Sequence, residues 1–577
     1  MRLGWSKKGN SISYYVHKTI RVDGKNKSLV IKRLGSEKYI CETYGVSDAK
    51  AWAKEQVALM NQAELEETAP VSVEFSSTKD LETNQQRCFN GGYLFLQQIY
   101  HELGLDKISK AIATKHDFNF NLNAILSRLI YTRILYPSSK LSSYESSHKF
   151  IEQPDFELHQ IYRALSVLAE ESDYIQSRLF KNSMKVSKRK TGVIYYDCTN
   201  FYFEIEAAED DKQYGINKEN RPLPIVEMGL FMDSEGIPLA FSIYPGNQNE
   251  QLSLIPLEEK LLQNFDMSQF VVCTDAGLSS TSNRKFNNYS DEDSFRAFVT
   301  TQSIKKLKNY QKEWALDTSG WHLSGENRTF DLNELDEEKD KDKIFYKSRW
   351  INEDGLEQQL IVTYSIKYKN YLSEVRSRQV ARALQKVKQG KCSVERKRQN
   401  DPARFIKADH ATMHGEAADK TVYYIDESAI AEEEMYDGFY AVCTNLEEPP
   451  EVIVKINKRR WEIEECFRIM KSEFEARPVF VRRQERIQAH FITCFIALIV
   501  YRYLEKKLDE KYTCSQILTT LQEMNFLKYE GKGYIPTYTR SELTDALHEV
   551  FGFNTSKEIV PIKKMKNICS QTKNSMT

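Results

Sequence analysis

Residues 192–204 read GVIYYDCTNFYFE. A short run of β-branched and aromatic residues, Val193 to Tyr196, leads into Asp197 and then a polar turn. That pattern predicts a buried strand ending on a carboxylate. Downstream, IVEMGLFMDSEGIPLAFSIYPGN (225–247) is two apolar runs around Asp233-Ser234-Glu235-Gly236, the pattern of a hairpin. QFVVCTDAG (269–277) is another buried-type strand, ending on Asp275, and SFRAFVTTQ (294–302) is a further one. A crossover helix fits about 250–264. Strand, hairpin, helix and strand together predict an α/β core.

The regions on either side divide the chain further. Residues 1–85 form a basic β/α start: 1–40 hold ten Lys/Arg against Asp23 and Glu37, a local net of +8. A hairpin is expected around Asp23-Gly24, then a helix capped by Ser47 or Asp48. Residues 86–190 carry apolar residues at helical spacing and are expected to be a helical region linking the start to the core. The core then occupies 191–305 and 441–505, split by a β-rich insertion at 306–440, with a C-terminal region at 506–577. Within the insertion, 371–407 carry eleven Lys/Arg and three acids, again +8. A long helix is expected at about 450–474 and an apolar one at 484–505.

Composition narrows the class. The 577 residues are 41% hydrophobic and 28% charged, in the range of folded globular proteins. Lys+Arg number 81 and Asp+Glu 82, so the net charge is −1. This argues against a uniformly basic coat but leaves room for local basic surfaces; the two +8 segments leave −17 on the rest. The longest strongly apolar run, residues 491–501, is shorter than the roughly 20 residues of a membrane span. The start shows no leader-like apolar stretch. Ten cysteines are scattered, the closest pair being Cys494 and Cys514, so no CxxC metal motif is present and buried thiols in a reducing cytoplasm are expected.

Three carboxylates then draw the eye: Asp197, Asp275 and Glu464, the last in INKRRWEIEECFRIMK (456–471). Carboxylates at the ends of neighbouring strands converge at one sheet edge, where open α/β proteins place their sites. Hard oxygen donors suit Mg²⁺ or Mn²⁺, and two such ions suit phosphodiester cleavage. The plainer alternative is a strand-terminal Asp that accepts hydrogen bonds from the next turn. Arg460, Glu464 and Lys471 share a helical face, either as a surface ion-pair row or as a metal ligand beside two phosphate-binding cations.

These residues carry a resemblance. Arg460-x3-Glu464-x6-Lys471 resembles part of the Tyr-Arg-Glu-Lys signature of bacterial insertion-sequence transposases of the DDE class. YDCTNFYFE is similar to that family's first-Asp motif, CTDAGLSSTSN to its second, and YPGNQNE is also family-like. The resemblance covers about 90–505. It implies a ribonuclease-H-like mixed-sheet core and two divalent ions (Mg²⁺ or Mn²⁺). It assigns Asp197, Asp275 and Glu464 as metal ligands, and Arg460 and Lys471 as DNA-phosphate contacts. The signature Tyr, three residues before the Arg, is Asn457 here, which keeps hydrogen bonding to phosphate but loses ring stacking. The partners implied are double-stranded DNA, as terminal inverted repeats and target, and a second copy of the chain on paired ends, in a bacterial cytoplasm at the nucleoid and away from membranes. The insertion would help hold the DNA end. A stand-alone metal-dependent nuclease and a catalytically silent DNA-binding regulator are the rival readings.

Other residues have quieter expectations. The Arg/Lys of the 371–400 helix look too one-signed for i,i+4 pairing, which favours phosphate binding. His490 is expected to be a core histidine, Cys198 a packed thiol, Trp461 a core residue between helix and sheet, and Asn283 a turn residue or an aid to the second Asp. The N-terminal aromatics Trp5, Tyr14, Tyr15 and His17 interleave with basic residues, which suits DNA-end recognition.

Overall fold

The computed structural model describes residues 1–8, 11–22, 25–68, 70–74, 76–78, 80–219, 221–389, 401–411 and 417–574. They form two compact units. One comprises Met1–Leu94, Lys149–Ile151 and Thr520–Asn574; the other comprises Phe95–His148 and Glu152–Thr519.

The first unit opens with a three-stranded antiparallel sheet, Arg2–Lys8, Ser11–Val22 and Lys25–Ser36. The expected hairpin is there, with Val22 paired to Lys25, although Asp23 and Gly24 lie outside the described residues. One face is apolar: Tyr14, Val16 and Leu34 pack on Ile40, Ala53 and Val57 of the two following helices. The second helix, Ala49–Thr68, starts at Asp48, whose Oδ1 accepts from the N–H groups of Lys50 (2.8 Å) and Ala51 (3.0 Å). A small carboxylate in that position satisfies orphan amides of the first turn. A four-stranded sheet joins Cys88–Asn90 to Asn525–Tyr529, Gly533–Pro536 and Val560–Pro561.

The second unit is built on one mixed sheet of ten strands. In chain order these are β1 (Val193–Tyr202), β2 (Ile225–Asp233), β3 (Pro238–Pro245), β4 (Gln269–Thr274), β5 (Tyr289–Ser290), β6 (Phe295–Gln302), β7 (His322–Leu323), β8 (Phe345–Glu353), β9 (Leu356–Tyr364) and β10 (Phe439–Thr444). Across the sheet the order is β7-β8-β9-β10-β6-β4-β1-β2-β3, with β5 beside β6. β1, β2 and β3 form an antiparallel meander; β4 and β6 then run parallel to β1. This is a mixed α/β architecture, as the strand-hairpin-helix-strand pattern predicts.

All nine residues of β2 are buried, the signature of a strand covered on both faces. Gly229 on β2 is required by close packing: a Cβ there would sit 2.2 Å from the Tyr196 hydroxyl oxygen. That hydroxyl donates to Ser253 Oγ at 2.7 Å, which fixes the ring against the start of the crossover helix Leu254–Asn264. The turn between β2 and β3 uses Gly236 at φ 76°, a left-handed backbone that glycine adopts without strain.

Three features depart from the sequence reading. The β-rich stretch at 306–440 interrupts the core in sequence, yet β8 and β9 pair through β10 into the same sheet. Among the described residues, a smaller cluster stands off it: helix Ile366–Lys388 packs Ala383 on Phe405 and Ile406, beside a hairpin ending at Ile425. The single helix expected at 450–474 is instead Pro450–Lys458 and Trp461–Arg468, followed by a π-helical turn at Ile469–Glu473. At the break the backbone tightens, with Arg459 N–H bonding Ile456 O and Arg460 N–H bonding Asn457 O. Finally, the apolar run at 491–501 belongs to a longer helix, Gln484–Lys507, which is long and apolar enough to cross a membrane by length and composition. It is 94% buried inside the protein over its most apolar window, against helices Leu122–Leu135 and Leu158–Glu170 and strand β3, so it is the central core helix of this unit.

Candidate active site

The parallel pairing of β1 and β4 sets Val193 opposite Val271, Ile194 opposite Val272 and Tyr195 opposite Cys273. Continuing that register two residues brings Asp197 level with Asp275. Asp197 lies within β1, not at its end as the sequence suggested, because β1 goes on pairing with β2 to Tyr202 after β4 has stopped. Its Oδ1 accepts from Cys198 N–H at 2.8 Å. Asp275 follows β4, and its Oδ1 accepts from Gly277 N–H (2.9 Å) and Leu278 N–H (3.1 Å). The turn-capping role foreseen as the plain alternative is therefore real for Asp275, but it occupies one oxygen only. Neither Oδ2 takes a hydrogen bond among the described residues.

Cations gather around this pair. Burial pushes the Asp197 carboxyl up to about 6, opposed by the Lys218 ammonium and reinforced by the Asp275 carboxylate, with Arg460 also near. Arg460 is held above its ordinary value, against burial, by Tyr440, Asp197, Asp275 and Glu464. Lys471 donates to Thr199 Oγ1 at 2.5 Å, two residues beyond Asp197 on β1. Burial lowers Lys471 to about 8, the nearby Lys218 adding to the shift and Asp197 opposing it. Lys471 sits in the π-helical turn, which widens the helix where it meets β1.

Lys218 was not singled out from the sequence. It lies in an irregular segment between β1 and β2, donates to Cys198 O at 2.7 Å and pairs with Glu250 at 2.9 Å. No periodicity marks it, and only its return to the strand carrying Asp197 gives it a role. Tyr440 on β10 was missed because its role comes from contacts distant in sequence. Asn457 is buried and donates from Nδ2 to the Tyr440 hydroxyl oxygen at 2.9 Å, and Thr301 Oγ1 reaches that hydroxyl at 2.6 Å.

Glu464 is brought close to Arg460 (3.6 Å) but remains 61% exposed. Among the described residues, no three His, Cys, Asp or Glu side chains gather closely enough to hold a metal ion. The donor chemistry nonetheless fits a hard cation at the aspartate pair: two like-charged carboxylates in register, each with an oxygen unclaimed, are stabilised together by a divalent ion. The exposed Arg460–Glu464 pair is weak, so Glu464 is released from it at little cost.

Beside these residues a cavity of about 550 Å³ is lined by Tyr440, Asn457, Arg460, Trp461 and Glu464, with Tyr368 and Tyr371 from helix Ile366–Lys388. Trp461 faces outward here, 61% exposed, rather than packing in the core as expected. The buried positions of its helix are Ile463, Cys466 and Phe467, and Trp461 falls off that stripe.

The remaining expectations divide. His490 is a core residue, its Nε2 3.0 Å from Ala476 O, and Cys198 is a packed thiol pushed up to about 12 by burial. Asn283 ties the loop after Asp275, donating to Leu278 O (2.8 Å) and Gln251 O (3.0 Å). The described cysteines are free and most are buried, though Cys88 is exposed. The basic helix, Ile366–Lys388, is less available to phosphate than its composition implies. Arg376 is buried against Asp437 (2.7 Å) and Glu434 (3.2 Å), Arg378 pairs with Glu374, and Lys386 pairs with Asp401. Residues 390–400 of the basic stretch at 371–407 lie outside the described residues.

The profile of the family described as "Transposase DDE domain" matches residues 188–500, more than half of the chain and the whole span from β1 into the central helix. The chain belongs to this transposase family. No curated protein matches the sequence. Among solved structures, this transposase-family chain overlaps a piggyBac transposase synaptic complex with hairpin DNA, with TM-score 0.35 and 9% identity, over 85% of this chain and 89% of that one. It also overlaps a Drosophila P element transposase strand transfer complex (TM-score 0.19, 10% identity, 82% and 96% covered). A third is a Mos1 transposase paired-end complex (0.13, 11%, 43% and 68%). Likenesses this distant transfer no residue roles to the present transposase-family chain.

Proposed function

We propose that this chain is a DNA transposase that binds the terminal inverted repeats of a bacterial insertion sequence, as a homodimer on paired ends, and cuts and rejoins DNA strands. The observation that carries this reading is the Asp197–Asp275 register, with Arg460 and Lys471 on the same site. The run of three antiparallel strands followed by two parallel ones supports a ribonuclease-H-like core. Asp197, Asp275 and Glu464 are the residues that would hold two Mg²⁺ or Mn²⁺ ions, which when bound supply Lewis acidity and an acidified water for phosphodiester hydrolysis.

The chain's own groups do the rest. Asp197 and Asp275 are anchored by backbone amides through one oxygen each, so their free oxygens are held in place before DNA arrives. Arg460 offers a planar fork to a phosphate, and Lys471 a point charge braced on Thr199. Together they offset the negative charge that builds on the phosphorus oxygens as water, and then the freed 3′-hydroxyl, attacks. Asn457 acts through the aromatic cavity it lines beside Arg460. The 1–85 region, with its exposed Trp5, Lys7 and Lys8, is a second DNA-binding surface.

The test is a cleavage and joining assay with DNA carrying the element's own ends, against generic duplex of equal length, with Mg²⁺. Joined products confined to the end-bearing DNA support the transposase. Equal cutting of both substrates without joining points to a stand-alone nuclease, and binding without cutting to a silent regulator.

A further inference from the structure

Away from the aspartate pair, the second unit contains a cavity of about 430 Å³ lined by Lys140, Arg482, Arg483 and Arg486, with Tyr162 and Phe480. None of the residues lining it is acidic. Lys140 is 5% exposed and has neither a hydrogen bond nor an ion pair among the described residues. Arg486 lies over the Tyr162 ring, 5.1 Å from its centroid, with its Nε buried and unpartnered among the described residues. Among the described residues, Arg482 makes no side-chain ion pair with an acid, and Arg483 makes only a long 3.9 Å one with exposed Glu485.

A buried ammonium and a partly buried guanidinium without counter-charges are costly, and an anion removes that cost. Two helices also begin at the cavity, Lys140–Ser147 after its cap Ser139 and Gln484–Lys507 after Arg483, so amides of both first turns add positive potential. Burial, with Arg133 behind it, lowers Lys140 to about 7, a state that a bound anion would reverse.

We propose that this cavity is a phosphate-binding site that holds the backbone of a nucleic-acid strand at a distance from the bond being cut. Arginine forks and a lysine point charge match phosphate oxygens. Phe480, 63% exposed at the rim, gives a sugar or base a surface that free phosphate does not need. The segment carrying the arginines is tied to the catalytic strand, since Val479 N–H donates to Tyr202 O at 3.0 Å. Tyr202 is five residues beyond Asp197, about 17 Å along β1, or roughly five base steps of duplex. The nucleic-acid assignment rests on the reading of this chain as a DNA-acting protein; the phosphate site itself does not.

The experiment uses the full chain, a generic duplex DNA and inorganic phosphate. Binding of the duplex is followed by fluorescence anisotropy over a range of NaCl, for wild type, Lys140→Met and the double variant Arg482→Gln/Arg486→Gln, each checked for wild-type circular dichroism. The double variant is expected to bind about tenfold more weakly and to lower the slope of log affinity against log salt by about 2. Lys140→Met, which removes an unpaired buried charge and so is expected to fold, should lower it by about 1. In parallel, inorganic phosphate should raise the melting temperature of the wild type and not of the variants. Phosphate binding with an unchanged duplex slope would keep the anion site and overturn its assignment to nucleic acid. Unchanged behaviour in both arms would overturn the site altogether. No arm requires cleavage, so failure here is separable from failure of the transposase reading.

Discussion

Asp197, inside β1, and Asp275, one residue past the end of β4, stand level two residues beyond the last paired positions of those parallel strands, Tyr195 and Cys273. They are 78 positions apart in sequence; the register brings them together. A like-charged pair so placed leaves a mark on stability as well as on chemistry.

Burial and Asp275 lift the Asp197 carboxyl from 3.8 to about 6, with Lys218 opposing. An acid whose folded pKa lies above its unfolded value favours folding when protonated. The penalty is therefore absent below 3.8, grows as pH rises through about 6, and is complete above that. Discounted for the partial exposure of the side chain, it amounts to about 1–2 kcal/mol. Asp197→Asn should raise the urea stability of the metal-free protein by that amount at neutral pH, with the gain vanishing in acid.

Divalent cations should distinguish the wild type from the aspartate variants. Mg²⁺ or Mn²⁺ binding only the folded state raises the melting temperature as concentration increases. Wild type should show that rise in a thermal-shift titration; Asp197→Asn and Asp275→Asn should show little or none. The response should weaken as pH drops toward 6, where Asp197 takes up its proton.

Lys471 is a partly buried cation lowered to about 8 by burial and by Lys218. Replacing it by methionine removes an unfavourable charge and keeps the side-chain volume. Lys471→Met should therefore leave the melting temperature within about 2 °C of wild type or above it. Strand cleavage should fall about a hundredfold, the scale of losing one charge-stabilising group at a reacting phosphate.

Gly229 is a packing requirement with a specific cause. Gly229→Ala places a methyl group 2.2 Å from the Tyr196 hydroxyl oxygen and should destabilise by about 1–3 kcal/mol. Combining it with Tyr196→Phe removes the nearest clashing atom, leaving the ring carbon at 2.9 Å, so in urea melts the double variant should lose less than the two single losses added together.

Much of the core was legible because its signals are local. β1, β2 and β4 follow from apolar runs bounded by turn residues, and Asp275 follows β4 as its motif suggests, whereas Asp197 lies inside β1 because that strand goes on pairing with β2. His490 and Cys198 were legible as packed groups from their apolar neighbours. What stayed hidden depends on partners distant in sequence. The basic look of helix Ile366–Lys388 is partly spent on Asp437 and Glu434, some 60 residues on from Arg376, and no i,i+4 rule reveals that. Lys218 reaches Asp197 from an irregular segment without periodicity. The break at Arg459–Arg460 was invisible because helical spacing continues across it; the i→i−3 hydrogen bonds mark it, and Trp461, just after it, lies off the buried stripe of its helix.

The most direct measurement is Mg²⁺-dependent cleavage of end-bearing DNA by wild type, Asp197→Ala, Asp275→Ala and Glu464→Ala, each confirmed folded by circular dichroism. Wild type should cut, and each variant should fall by about a hundredfold or more while still binding the DNA. Wild-type cleavage by all three folded variants would contradict that expectation.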